Sequence, residues 1–170
     1  MNPSELVKFL DKPASQFQRD DIIRYIEEYN IEMLNFRYVA EDGKLKALNF
    51  IIQSREHLEQ ILTFGERVDG SSLFSFISAG SSDLYVIPRY RTAFLNPFSE
   101  IPALDILCSF YTSAGEPLEN SPEYVLKKAQ ESFREKTGMT FKAFGELEYY
   151  INSPREELFR VEDQKGYHSA

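Results

Sequence analysis

The chain has 170 residues, 42% hydrophobic and 14% aromatic, enough for one full domain or a small domain and part of another, and too apolar for global disorder. A formal net charge of −8 repels phosphates, so neither a nucleic acid nor an anionic membrane is an expected partner, although an acidic surface is compatible with cation binding. The single cysteine, Cys108, excludes an internal disulfide and fits a reducing, cytoplasmic compartment, and its neighbours Leu107 and Phe110 predict a buried thiol rather than a nucleophile.

The start, Met1-Asn2-Pro3-Ser4-Glu5, has no basic stretch leading into an apolar run, so no secretory leader is expected. No apolar stretch approaches the ~20 residues a membrane helix needs. Residues 4–10 predict a short helix, broken by Lys12-Pro13-Ala14-Ser15. Asp20 is a plausible N-cap for a helix through Asn30, with Ile22, Ile26 and Tyr29 on one side. Leu34, Phe36 and Tyr38 alternate with Asn35 and Arg37. Glu41-Asp42-Gly43-Lys44 then turns the chain into a second strand through Leu45, Leu48, Phe50 and Ile52. Ser54 can cap a helix with Leu58, Ile61 and Leu62 inward and Gly65 past its end. Strands are expected at Leu84–Ile87 and Leu104–Tyr111. The order of helix, hairpin, helix and strands predicts an α+β domain with helices on one face of a mixed sheet.

Near residue 120 a second unit is expected to begin. Ser121-Pro122 reads as an N-cap followed by proline at the first helical position. The helix runs through Val125, Ala129 and Phe133 to Gly138, and residues 141–151 alternate like a strand. One helix and one strand cannot satisfy an exposed ladder and an apolar face, so this unit reads as truncated.

The alternation puts Glu146 and Glu148 on one face, roughly 7 Å apart at ~3.3 Å rise per residue, with Leu147, Tyr149 and Ile151 on the other. Carboxylates so placed can take Mg²⁺ or Mn²⁺, and two-metal phosphoryl-transfer sites are spaced ~3.5–4 Å apart. By spacing alone an ordinary polar strand face is the commoner outcome. Arg67-Val68-Asp69-Gly70-Ser71-Ser72 is by default a turn, since Asp and Ser bond their own backbone; its functional alternative presents Asp69 and Ser72 to a ligand or a neighbouring subunit. Pro88-Arg89-Tyr90-Arg91-Thr92 is a basic loop, more commonly solvated than functional. Neither common phosphate-cradling glycine motif occurs. His57 and His168, the only histidines, build no catalytic triad or zinc site with Cys108.

The order of several segments is more specific than any one. Glu66-Arg-Val-Asp-Gly-Ser-Ser-Leu-Phe74, Ser82-Asp-Leu-Tyr-Val-Ile-Pro88, Thr92-Ala-Phe-Leu-Asn-Pro-Phe98 and Leu107-Cys-Ser-Phe-Tyr111 resemble the N-terminal β-grasp domain of bacterial type I glutamine synthetases. Gly115-Glu116-Pro117, Ser121-Pro122, Leu126-Lys-Lys-Ala129 and Phe144-Gly-Glu-Leu-Glu-Tyr149 resemble the opening of that family's catalytic domain. The resemblance implies an N-terminal extension over 1–18, a β-grasp domain over 19–115 and an incomplete start (helix plus strand) of the catalytic domain over 116–170. It also implies a ligase that joins glutamate and ammonia with ATP through γ-glutamyl phosphate, in ring-shaped homo-oligomers, with Mg²⁺ or Mn²⁺. In that pattern Glu148 corresponds to a ligand of the metal on the glutamate and ammonia side, and Glu146 to a ligand of the metal nearer the nucleotide. Asp69 and Ser72 match the loop that enters the adjacent subunit's active site, where the aspartate helps bind and deprotonate ammonium.

The chain departs from the family pattern at three places. Ser81 stands for an acidic residue, Arg89 for an aspartate after the proline, and Ser121-Pro122-Glu123 for Asp-Pro-Arg. By the resemblance, the family's remaining glutamate and histidine metal ligands, its ATP-binding residues and its glutamate-binding arginines are expected in sequence beyond residue 170. Two alternatives stay open on this reading: a non-catalytic β-grasp interaction or regulatory module, and a ligase of the same family that takes an amine or polyamine.

Overall fold

The computed structural model describes residues 4–150. These residues divide into two units, 4–140 and 141–150. In the first, helix α1 (Glu5–Leu10) is opened by Ser4, whose hydroxyl accepts from Val7 N at 3.4 Å, and closed by Asp11 in the left-handed region. Helix α2 (Arg19–Glu28) starts two residues before the expected point. Gln18 and Asp21 cap each other reciprocally, the Asp21 carboxylate accepting from Gln18 N at 2.7 Å, so Gln18 rather than Asp20 is the N-cap. Ile22, Ile23 and Ile26 of α2 are buried; Tyr29, expected on the inner side, lies exposed against Tyr25 and Phe9.

Strands β1 (Met33–Val39) and β2 (Leu45–Ile51) form the expected hairpin, in register from Met33↔Ile51 to Val39↔Leu45. Helix α3 (Arg55–Phe64) is capped by Ser54, whose hydroxyl accepts from His57 N at 3.1 Å, and it buries Leu58, Ile61 and Leu62. Gly65 ends it at φ 69°, and a Cβ there would lie 2.1 Å from Val86 O, so glycine alone lets the helix end pass against the sheet. Strands β3 (Glu66–Asp69), β4 (Asp83–Pro88), β5 (Phe94–Leu95) and β6 (Ala103–Thr112) follow. The sheet order is β2-β1-β6-β4-β3, with β5 also on β6. The first half of β6 runs parallel to β1, and its second half pairs antiparallel with β4. This mixed sheet and its helices confirm the α+β expectation.

Period-two alternation gives each strand a core face. Leu34, Phe36, Leu104, Ile106 and Val86 meet α2 and α3 there, and Cys108 is buried with them. The opposite face carries a polar ladder. Asp105, 1% exposed, accepts from Asn35 Nδ2 at 2.7 Å, Arg37 Nε at 2.6 Å and Asn96 Nδ2 at 3.2 Å, and Asn49 donates to Asn35 at 2.6 Å. Helix α4 (Pro122–Thr137) starts and stops as expected, at Ser121-Pro122 and at Gly138 (φ 70°), yet none of its residues is buried.

The expected strand over 141–151 differs. Residues 139–150 have no regular secondary structure, and Ile151 lies outside the described residues. An extended segment needs a partner ladder for its N–H and C=O groups, and the described residues of its own unit contain none.

Replacing Asp105 with alanine strands the Arg37 guanidinium, Asn35 and Asn96. We expect a loss of about 3–5 kcal/mol, read as a lowered urea midpoint at unchanged m-value.

Candidate functional site

Short and paired only with β4, strand β3 delivers Asp69 opposite Asp83. The chain then turns sharply. Gly70 N donates to Ser82 O at 2.6 Å, residues Gly70–Ser72 form one 3₁₀ turn, and Phe74 N returns to Gly70 O at 2.8 Å. A Cβ on Gly70 would stand 2.8 Å from both Ser82 O and the Leu84 side chain, so the turn closes only on glycine. Phe74 fixes the far end, its ring edge-on to Phe110 (centroids 5.0 Å apart) and to Tyr38 (6.2 Å) in the core. Glu41, from the β1–β2 turn, accepts from Ser75 N and Ser75 Oγ, both at 3.0 Å.

The loop thereby holds an exposed carboxylate with its lone pairs engaged. Asp69 Oδ1 accepts from Ser71 N at 3.0 Å and Ser71 Oγ at 2.7 Å, and Oδ2 from Ser72 Oγ at 2.6 Å. These hydroxyls, Ser72 first, then Ser71 and Ser82, lower its pKa to about 2. Asp69 and Ser72, adjacent candidates in the sequence, are in contact in the structure. Ser82 reaches the loop from the start of β4, across a turn that no local spacing encodes. The segment read as a plain turn is half strand: Arg67, Val68 and Asp69 are in β3.

Glu146 and Glu148 belong to the second unit. Both are exposed in the irregular segment, and so are Leu147 (87%) and Tyr149 (73%), so neither parity of the alternation is inward-facing. Their oxygens are the right donors for a hard cation, but two carboxylates do not fill a shell of six or more ligands. Among the described residues, no cluster of three or more His, Cys, Asp or Glu side chains could hold a metal ion. His57 is spent on the start of α3, Nδ1 accepting from Gln53 N at 3.4 Å, and His168 lies outside the described residues. Burial pushes the Cys108 thiol well above its usual range, which makes it inert. Among the described residues, no helix is long and apolar enough to cross a membrane.

Residues 30–113 match the family model described as the glutamine synthetase β-grasp domain. The glutamine synthetase of Methanococcus maripaludis is 29% identical over 138 residues, which cover 78% of this chain and 31% of the relative. That of Thermotoga maritima is 30% identical over 157 residues, 87% of this chain and 34% of the relative. The solved Plasmodium falciparum glutamine synthetase shares the fold, with a TM-score of 0.56 at 18% identity over 71% of this chain and 23% of that one. The chain spans about a third of the length of the curated relatives it matches.

Two of the sequence departures meet in space. Arg89, where the family pattern has an aspartate, lies with Nη1 4.0 Å from Glu123 Oε2, where the pattern has an arginine. In this chain the two departures thus face each other as opposite charges.

Two outcomes follow. Asp69 titrates in a ¹³C-detected carboxyl experiment with a midpoint near 2, and Ser72→Ala moves it upward. Because the folded value lies below the ordinary 3.8, the loop's stabilisation by this group is full above pH 4 and is lost as pH falls toward 2. Charge reversal at Arg89 alone (Arg89→Asp) sets two carboxylates together and lowers the Tm. Adding Glu123→Arg restores it, with a coupling of about 1 kcal/mol in a double-mutant cycle.

Proposed function

Because the chain belongs to the glutamine synthetase family through its β-grasp domain, we propose that it forms the N-terminal portion of a cytoplasmic ATP-dependent ligase joining ammonia to glutamate through γ-glutamyl phosphate. The observation that carries this reading is the Asp69 loop: an exposed, ionised carboxylate, fixed by the serines around it and anchored to the core through Phe74. Such a group stabilises a small cation arriving from solvent. In the assembled homo-oligomer the Asp69 loop meets the substrates at a neighbouring subunit, and ammonium is the cation it holds.

The hydroxyls that fix Asp69 also hold it ionised near neutral pH, ready to face a cation. Its contribution is therefore charge stabilisation and orientation, with Ser71 and Ser72 as the groups that orient it. Glu146 and Glu148 supply one carboxylate each to two different metal sites that other parts of the assembled enzyme complete. Mg²⁺ or Mn²⁺, when bound, offsets charge on the transferring phosphoryl oxygens.

The isolated 170-residue chain is accordingly expected to release no phosphate from ATP with glutamate and ammonia, and to bind Mn²⁺ only weakly. Stoichiometric sub-micromolar Mn²⁺ binding abolished by Glu148→Ala would overturn the division of the metal sites. In the assembled ligase, Asp69→Asn lowers kcat/KM for ammonia by on the order of 10²-fold while leaving the Tm nearly unchanged. Retention of full activity in that variant would remove the loop from the reaction.

A further inference from the structure

Between the polar face of the sheet and the first turns of α4 lies a groove of about 610 Å³, a volume typical of sites for small organic ligands. Ile87, Leu107 and Tyr111 form an apolar floor, and Leu126 of α4 forms a wall. Three cations, Arg89, Arg91 and Lys127, line it against one carboxylate, Glu123, so a chain of net charge −8 carries here a local excess of two positive charges.

Arg89 is built in rather than draped over the surface. Its N–H donates to Leu107 O at 2.9 Å, and its carbonyl accepts from Thr92 N at 2.9 Å and Thr92 Oγ1 at 2.7 Å, which ties the residue to β6. Its side chain is only partly engaged. One Nη1 stands 4.0 Å from Glu123, and Nε is buried with no hydrogen-bond partner among the described residues. A buried guanidinium N–H left unpaired is costly and calls for an acceptor. Ser121 Oγ, on the residue preceding Pro122 of the groove's lining, is likewise buried with no hydrogen-bond partner among the described residues.

We propose that this groove binds a small phosphomonoester carried on a flat apolar body. A phosphomonoester brings about −1.5 to −2 charges, which matches the local excess, and paired arginines suit the geometry of its oxygens. The apolar floor takes the ring. The site is independent of the Asp69 loop and of the ligase reading.

The test is titration of the 170-residue chain with phenyl phosphate, followed by amide chemical shifts. Saturable shifts confined to residues 87–91, 107–111 and 122–130 are expected, with phenol and inorganic phosphate each binding about tenfold more weakly, since each keeps only one of the two recognised parts. Arg91→Ala and Lys127→Ala, both on exposed side chains, each weaken binding about threefold to tenfold, and Glu123→Gln tightens it. Absence of saturation at millimolar concentration, shifts centred elsewhere, equal binding of phenol, or unchanged affinity in both alanine variants would each overturn the proposal.

Discussion

Everything in the first unit depends on the pairing of β6 with two different neighbours along its length. Its first half lies parallel to β1, seventy residues earlier in the chain, and its second half holds β4. A parallel pair has no hairpin turn to set its register. Asp105 sets it instead, by accepting from Asn35 and Arg37 of β1 and from Asn96 next to β5. A slip of one residue would turn this carboxylate into the apolar layer and expose Leu104 or Ile106, so the polar face enforces the register that the core face requires. Through β4 the same register passes to β3, and so to the place where Asp69 leaves the sheet.

What could be read from the sequence was whatever is local. The alternation of Leu34, Phe36 and Tyr38, the Ser54 cap, Gly65, and the Ser121-Pro122 to Gly138 helix are each encoded within a few residues, and each stands where the pattern put it. The displaced start of α2 is a contest between two local signals: Asp20 and Gln18 are both possible caps, and the reciprocal bond from Asp21 decides it. Strands β3 and β5 were not legible because four and two residues carry no period; their partners create them. The alternation over 141–151 is the converse case, a strand pattern whose ladder has no partner within the described residues of its unit.

The same division governs the candidate site. Asp69 and Ser72 were readable because Asx-type turns are local. Ser82 and the Arg89–Glu123 pair were not, since only the folded sheet and the start of α4 bring them near. The metal role proposed for Glu146 and Glu148 comes from the resemblance of their segment and not from their geometry, in which both lie exposed on an irregular stretch. What the structure adds at Asp69 is the set of serine hydroxyls that fix the carboxylate and hold it ionised.

Helix α4 is the longest helix of the described chain and buries none of its residues, whereas β6 has six positions, Ala103 to Ile106, Cys108 and Phe110, at or below 1% exposure. Regular structure and resistance to opening are therefore separated in this molecule. Amide protons of α4 open by fraying, at a free energy set by its Ser121-Pro122 start and Gly138 stop, while those of β6 exchange only when the whole sheet comes apart.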